Sequence, residues 1–257
     1  MKVSGKNCIE KKCLIFKKIK VTKLFTLLIS FLSLAANAQQ KLFHQYTDSA
    51  TLVNDANQVV ADFWIKTNAI KAVNDTQPVA ILNTRPFLIF YSPKANKVNL
   101  PIWRQVIPEQ QKFFYTLAGD EKEGQKMFGL FFNGFYLAHE LAHALQKAAG
   151  KNEPNLYQNE YVANQIAMLY WRKVKRNKEL EQCYRYAKKV VSSLPSPVPK
   201  GEDPIKYFNE HYAELGADPY KYGYYQFAQF VEVYEDKKLG NFDSFVKAFL
   251  SNANENK

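Results

Sequence analysis

His139-Glu140-Leu141-Ala142-His143 decides how this chain is read, because its spacing sets two imidazoles and a carboxylate on one short stretch of helix. Histidines four residues apart lie about one α-helical turn apart on the same face, so both rings project toward a shared point. Neutral imidazole nitrogens suit Zn2+, and a glutamate one residue past the first histidine reaches a water in the open coordination position. The flanks speak for burial. Phe131, Phe132, Phe135, Tyr136, Leu137, Ala138, Leu141, Ala142 and Leu145 make the segment apolar nearly all round. Two histidines and a glutamate in such a helix need partners to offset desolvation, and a metal ion satisfies both rings.

A catalytic zinc site takes three protein ligands and one exchangeable water. The extended motif with Gly and His three and six residues beyond the second histidine is excluded, since Gln146 and Ala149 stand there. Downstream, 155–171 predicts a second helix, with Leu156, Val162, Ala163, Ile166, Ala167 and Tyr170 at three- and four-residue spacing. Gly150 and Pro154 mark the stop and restart between the two helices. A helix, a short turn and an antiparallel helix bring Glu160 back beside the histidines. Glu153 is a rival third ligand closer in sequence, on the less rigid platform of the turn.

The residues His139, Glu140 and His143, followed by Glu160, Ala163 and Asn164, resemble the pattern of the gluzincin metallopeptidases. The match spans 139–164. It implies that His139, His143 and Glu160 ligate zinc, that Glu140 activates water, and that Asn164 holds a ligand histidine from behind. Many members of that group carry Asp where this chain has Asn164. An amide accepts the same imidazole N–H bond but without the charge that raises the ligand's basicity.

Residues 1–38 read as a signal peptide. Eight lysines precede and abut the apolar run 24–34, and Ala36-Asn37-Ala38 supplies small residues for cleavage between Ala38 and Gln39. The run is too short to span a bilayer comfortably, and Cys8 and Cys13 lie upstream of it, away from a lipid-anchor position. The expectation is a secreted or periplasmic protein with no stable membrane anchor. Of the 35 basic and 24 acidic residues, eight and one fall in 1–38, which leaves 27 against 23, or +4 in place of +11. A nucleic-acid partner inferred from the whole-chain charge is therefore unwarranted, and the basic run 172–178 reads as a solvated helix end. Only Cys183 remains after cleavage, so the fold relies on apolar packing and not on disulfides. The chain from 39 to 257 reads as one metallopeptidase domain and a monomer, with a boundary between lobes near 195–203, where Pro195, Pro197, Pro199 and Gly201 cluster.

The coarse pattern is α+β and predominantly α. Helices are predicted over 51–71, 108–117, 178–194, 204–215, 220–237 and 241–250, and strands over 79–82 and 87–91. This suits a zincin-like core with an active-site helix, a third-ligand helix, a small flanking sheet and a helical C-terminal lobe. Peptide hydrolysis needs a donor for the oxyanion, which related enzymes supply from His or Tyr. His211, beside Tyr212, and a tyrosine among 220, 222, 224 and 225 are the candidates, with His211 and Tyr224 put forward. The leading expectation is a zinc peptidase acting on a peptide or protein substrate. The alternatives are a zinc amidase acting on cell-wall peptides and a non-catalytic scaffold of the cell envelope clamped by zinc. Glu140 opposes the scaffold, because a purely structural site takes a fourth ligand in place of a free base.

Overall fold

The computed structural model describes residues 42–85, 88–151 and 154–251. The expected signal peptide, its cleavage site, Cys8, Cys13 and the rival ligand Glu153 lie outside those residues. Ten α-helices are described, and short polar side chains start several of them. Asp48 caps α1 (Ser49–Ile70), Asp120 caps α3 (Glu121–Leu130), and Asn155 caps α5 (Leu156–Lys173), each accepting a backbone N–H three residues on. Proline at the first turn opens α2 (Pro108–Ala118), α7 (Pro204–Glu210) and α9 (Pro219–Glu235), where its missing N–H costs nothing. The remaining helices are α4 (Tyr136–Ala148), α6 (Asn177–Ser193), α8 (Tyr212–Ala217) and α10 (Phe242–Ser251). No described helix is long and apolar enough to cross a membrane.

Three short strands, β1 (Val79–Leu82), β2 (Phe90–Ser92) and β3 (Lys97–Leu100), form one sheet in the order β1-β3-β2. The central β3 pairs parallel to β1 and antiparallel to β2. The two edges are treated differently. Asn57 of α1 donates to and accepts from the backbone of Ala80 at 2.9 and 3.0 Å, which covers the β1 edge. The β2 edge turned away from β3 faces α4, where Tyr91 N–H donates to the Glu140 carboxylate at 2.7 Å. The chain is thus predominantly helical with a small mixed sheet, as the α+β reading expects.

Sequence and structure part company at three places. Of the strand expected over 87–91, Phe87 lies outside the described residues and the described strand runs Phe90–Ser92; β3 is a further strand, whose apolar run Asn99 interrupts. That asparagine is 4 % exposed and cross-links the sheet region, donating to Phe90 C=O and accepting from the Asn83 amide. The helix expected over 204–215 breaks at His211 into α7 and α8. Third, α3 carries two glycines, Gly124 and Gly129, that weaken its helical signal. They are needed for contact: a Cβ on Gly129 would meet the Gln45 nitrogen at 2.4 Å and the His44 carbonyl carbon at 2.5 Å.

The α3 and α4 helices run into one another through a π-helical turn, Phe131–Phe135, in which Asn133 leaves helical geometry (φ −108°, ψ 22°). The chain's first described residues bind here. Phe43 N–H donates to Asn133 C=O at 2.9 Å, and its ring meets the edge of Trp171 at 4.7 Å. Trp171, fully buried, donates its indole N–H to the Phe135 carbonyl at 3.1 Å, tying α5 to the start of α4. On the other side, Phe227 and Phe230 of α9 pack on Phe131 and Phe135 with ring centroids 4.9 and 4.6 Å apart. A smaller apolar cluster of Phe208, Leu215 and Tyr225 seats α7 and α8 against α9.

The Gly129 contact gives a signed prediction. In an open helix, Gly→Ala stabilises by about 1 kcal/mol. At Gly129 the methyl would overlap backbone, so Gly129→Ala is expected to destabilise by about 1–3 kcal/mol and to expose 42–46 to protease. Thermal unfolding and limited proteolysis check it; a higher melting temperature would mean the segment is not packed there.

Candidate metal centre

Three helices each bring one polar stripe into an otherwise apolar interior. On α4 the stripe is His139, His143 and Gln146, on α5 Glu160 and Asn164, and on α9 Tyr222, Gln226 and Gln229. Each set repeats at three- or four-residue spacing, so each occupies one helix face. The α4 and α5 stripes meet. His139 Nε2 and His143 Nε2 are 3.0 Å apart, and the Glu160 carboxylate lies 3.2 Å from the first and 3.7 Å from the second. The three residues form a buried or half-buried group whose ligand atoms all lie within 4.8 Å of one another.

Hydrogen bonds from behind determine what those atoms offer. His143 Nδ1 sits 2.7 Å from Gln146 Oε1, and the Gln146 amide nitrogen donates to Asn159 C=O at 2.9 Å. A carbonyl only accepts, so Gln146 must turn its nitrogen to Asn159 and its oxygen to the imidazole. His143 Nδ1 therefore carries the proton and donates it. His139 Nδ1 lies 3.0 Å from Asn164 Oδ1, Asn164 Nδ2 donates to Gln229 Oε1 at 3.0 Å, and Gln229 Nε2 donates to Tyr157 C=O at 3.2 Å. The same argument puts the His139 proton on Nδ1. Both Nε2 atoms of the neutral rings then present lone pairs to each other and to a carboxylate. Three converging lone pairs repel unless a cation stands among them, so the donor set fits a metal ion.

Without a metal, a proton takes that place. Burial disfavours the imidazolium of His143, but the Glu160 carboxylate outweighs it and pushes His143 up to about 9. For Glu160 burial acts upward, and the His143 and His139 rings more than offset it, holding the carboxyl well below the ordinary glutamate range. Gln226 adds a donor at 2.9 Å to Glu160 Oε2.

Glu140 is 7 % exposed and does not belong to the ligand group. Burial raises its pKa, partly offset by the two imidazoles, while Tyr91 N–H fixes one oxygen. The carboxylate is thus fixed near the two imidazoles and outside the three-residue group.

The expected donors from the C-terminal region fare differently. His211 sits at the α7–α8 break, its ring stacked on Tyr207 at 4.3 Å and its Nδ1 3.4 Å from Glu214, so it does not join the group. Tyr224 lies two residues beyond Tyr222, about 200° around α9, on the side turned from Gln226 and Gln229. The phenols that feel the Glu160 and Glu140 charges are Tyr136, Tyr212 and Tyr222, with the Tyr136 ring edge-on to His139 at 5.6 Å and the Tyr212 and Tyr222 rings 6.1 Å apart. Gln146, Gln226 and Gln229 escaped the sequence reading as participants. Their signal was available: long polar amides recurring on the apolar face of buried helices, among Leu145, Phe227 and Phe230. Compared with protein-family models, curated proteins and solved structures, the chain matches none of them.

Proposed function

We propose that this chain is an exported zinc-dependent metallopeptidase of the gluzincin kind, hydrolysing peptide bonds with Glu140 as general base. The observation that carries the reading is a buried carboxylate, Glu140, held next to a three-donor metal group without being part of it. A structural zinc site takes four protein ligands, and the described residues offer this group three. The metal assignment rests on the donor set. Two imidazoles and one carboxylate suit zinc, and tetrahedral zinc bonds of about 2.0–2.1 Å set ligand atoms about 3.3 Å apart. The separations of 3.0, 3.2 and 3.7 Å bracket that value. Zinc, when bound, polarises the scissile carbonyl and lowers the pKa of its water.

The chain's own residues would do the rest. Tyr91 N–H occupies one Glu140 oxygen and leaves the other to take a proton from water and return it to the leaving amine. Tyr212 or Tyr222 would donate to the negative charge developing on the carbonyl oxygen, the role expected of His211 and Tyr224. Export rests on the basic, apolar and small-residue order of 1–38.

The test is bound zinc and hydrolysis of a mixed protein substrate by the chain lacking 1–38, before and after treatment with a chelator. One zinc per chain with hydrolysis lost on chelation and restored by zinc supports the proposal. Zinc bound without hydrolysis of any peptide substrate points to the scaffold, and no zinc sinks both.

A further inference from the structure

Behind each metal-facing imidazole stands a neutral amide, and both amide chains end on backbone carbonyls of the first turn of α5, at Tyr157 and Asn159. Glu160, the third member of the group, follows Asn159 directly. The reference point for both histidines is thus the backbone that carries the carboxylate. Gln146 is 3 % and Gln229 1 % exposed, so neither amide has water as an alternative partner.

We infer that Gln146 and Gln229 are positioning residues that hold His139 and His143 in the Nδ1–H tautomer and so keep both Nε2 atoms open to the metal. The inference rests on the zinc reading above. Gln229 also dictates its neighbour. Tyr157 C=O takes the Gln229 nitrogen, so Gln229 shows an oxygen to residue 164, and residue 164 must donate there while accepting from His139. An amide does both and a carboxylate cannot. Asn164, where the gluzincin pattern often has Asp, is therefore the partner that Gln229 requires. The difference from that pattern is a matched pair and not a weakened contact.

Removing either glutamine's polar end frees the amide or ring before it to turn. Once Asn164 turns its nitrogen to His139, the imidazole proton moves to Nε2 and blocks the metal. Gln229→Met and Gln146→Met keep the length of the side chain and are expected to weaken zinc binding about 10–100-fold, against little change in helix content. Asn164→Asp is expected to weaken zinc binding too, because its second oxygen would face the Gln229 oxygen. Wild-type protein loaded with Zn2+ supplies a readout independent of the variants: 15N shifts of the His139 and His143 rings with protonated Nδ1 and metal-bound Nε2. Zinc affinity within twofold of wild type in both Met variants, tighter binding by Asn164→Asp, or Nδ1 coordination in the wild type would each overturn the assignment. These outcomes leave zinc binding by the wild type intact, whereas a wild type that binds no zinc removes the functional reading itself. Should the Met variants not fold, Asn164→Asp and the wild-type shifts decide.

Discussion

Glu140→Gln is expected to lower kcat by about 10²–10⁴ while zinc stays bound with affinity within a few fold of wild type. The amide keeps the length and volume of the carboxylate, and its oxygen still accepts the Tyr91 N–H that holds the wild-type side chain at 2.7 Å. What it loses is the second oxygen's capacity to take a proton. Because Glu140 is not among the metal-facing atoms, no ligand is removed. The same geometry predicts the pH dependence of the wild type. A general base works only when ionised, so kcat/KM should fall on the acid side as Glu140 takes a proton. In the variant that limb should disappear from the residual rate. Zinc content, steady-state kinetics and a pH profile together check the claim. Activity within tenfold of wild type would remove Glu140 as the base; loss of zinc would make it a ligand.

That prediction was available from five residues, and the reason is geometric. In His139-Glu140-Leu141-Ala142-His143 the covalent spacing and helical repeat alone fix which side chains share a face, while Glu160, with Glu153 as its rival, and Asn164 were legible through the gluzincin resemblance. Most of the helix order was nearly as plain, since caps such as Asp48 and Asn155 and first-turn prolines mark where several helices begin, with α3 and the α7–α8 break the exceptions. Two kinds of information were not local. The outer amides Gln146 and Gln229 take their meaning from carbonyls 13 and 72 residues away, a distance over which periodicity says nothing. The approach of Tyr212 to Tyr222, with ring centroids 6.1 Å apart, was equally hidden, because 204–215 reads as one helix where the chain breaks at His211 into two. The sheet's third strand hid for a similar reason. Asn99 looks like a turn residue until its amide is seen to bind across to Phe90 and Asn83.

Zinc and a single proton compete for one space, and this fixes how affinity must vary with pH. In the metal-free protein the gap between the two Nε2 atoms, 3.0 Å wide, holds the proton of His143, whose pKa the Glu160 carboxylate lifts to about 9 against burial. Binding the metal requires that proton to leave. Below pH 9 zinc affinity should therefore fall about tenfold per pH unit, or about a hundredfold from pH 9 to pH 7, with one proton released per metal. Metal-free stability must run the opposite way. A histidine whose folded pKa lies above its unfolded value of about 6.5 contributes stability that is full below that value and is lost as pH rises through the folded pKa. Glu160, held low, contributes above the ordinary glutamate range and loses its part only as pH falls through its own depressed value. Between about pH 6.5 and 9 the metal-free protein should thus lose thermal stability as the pH rises, while the zinc-saturated protein, already deprotonated at His143, should not. Competition with a chelator of known pH-dependent affinity measures the first slope, and thermal unfolding with and without zinc measures the second. An affinity that is flat between pH 7 and 9 would mean that no proton occupies the gap, and with it that the Glu160–His143 pairing does not exist in the metal-free state.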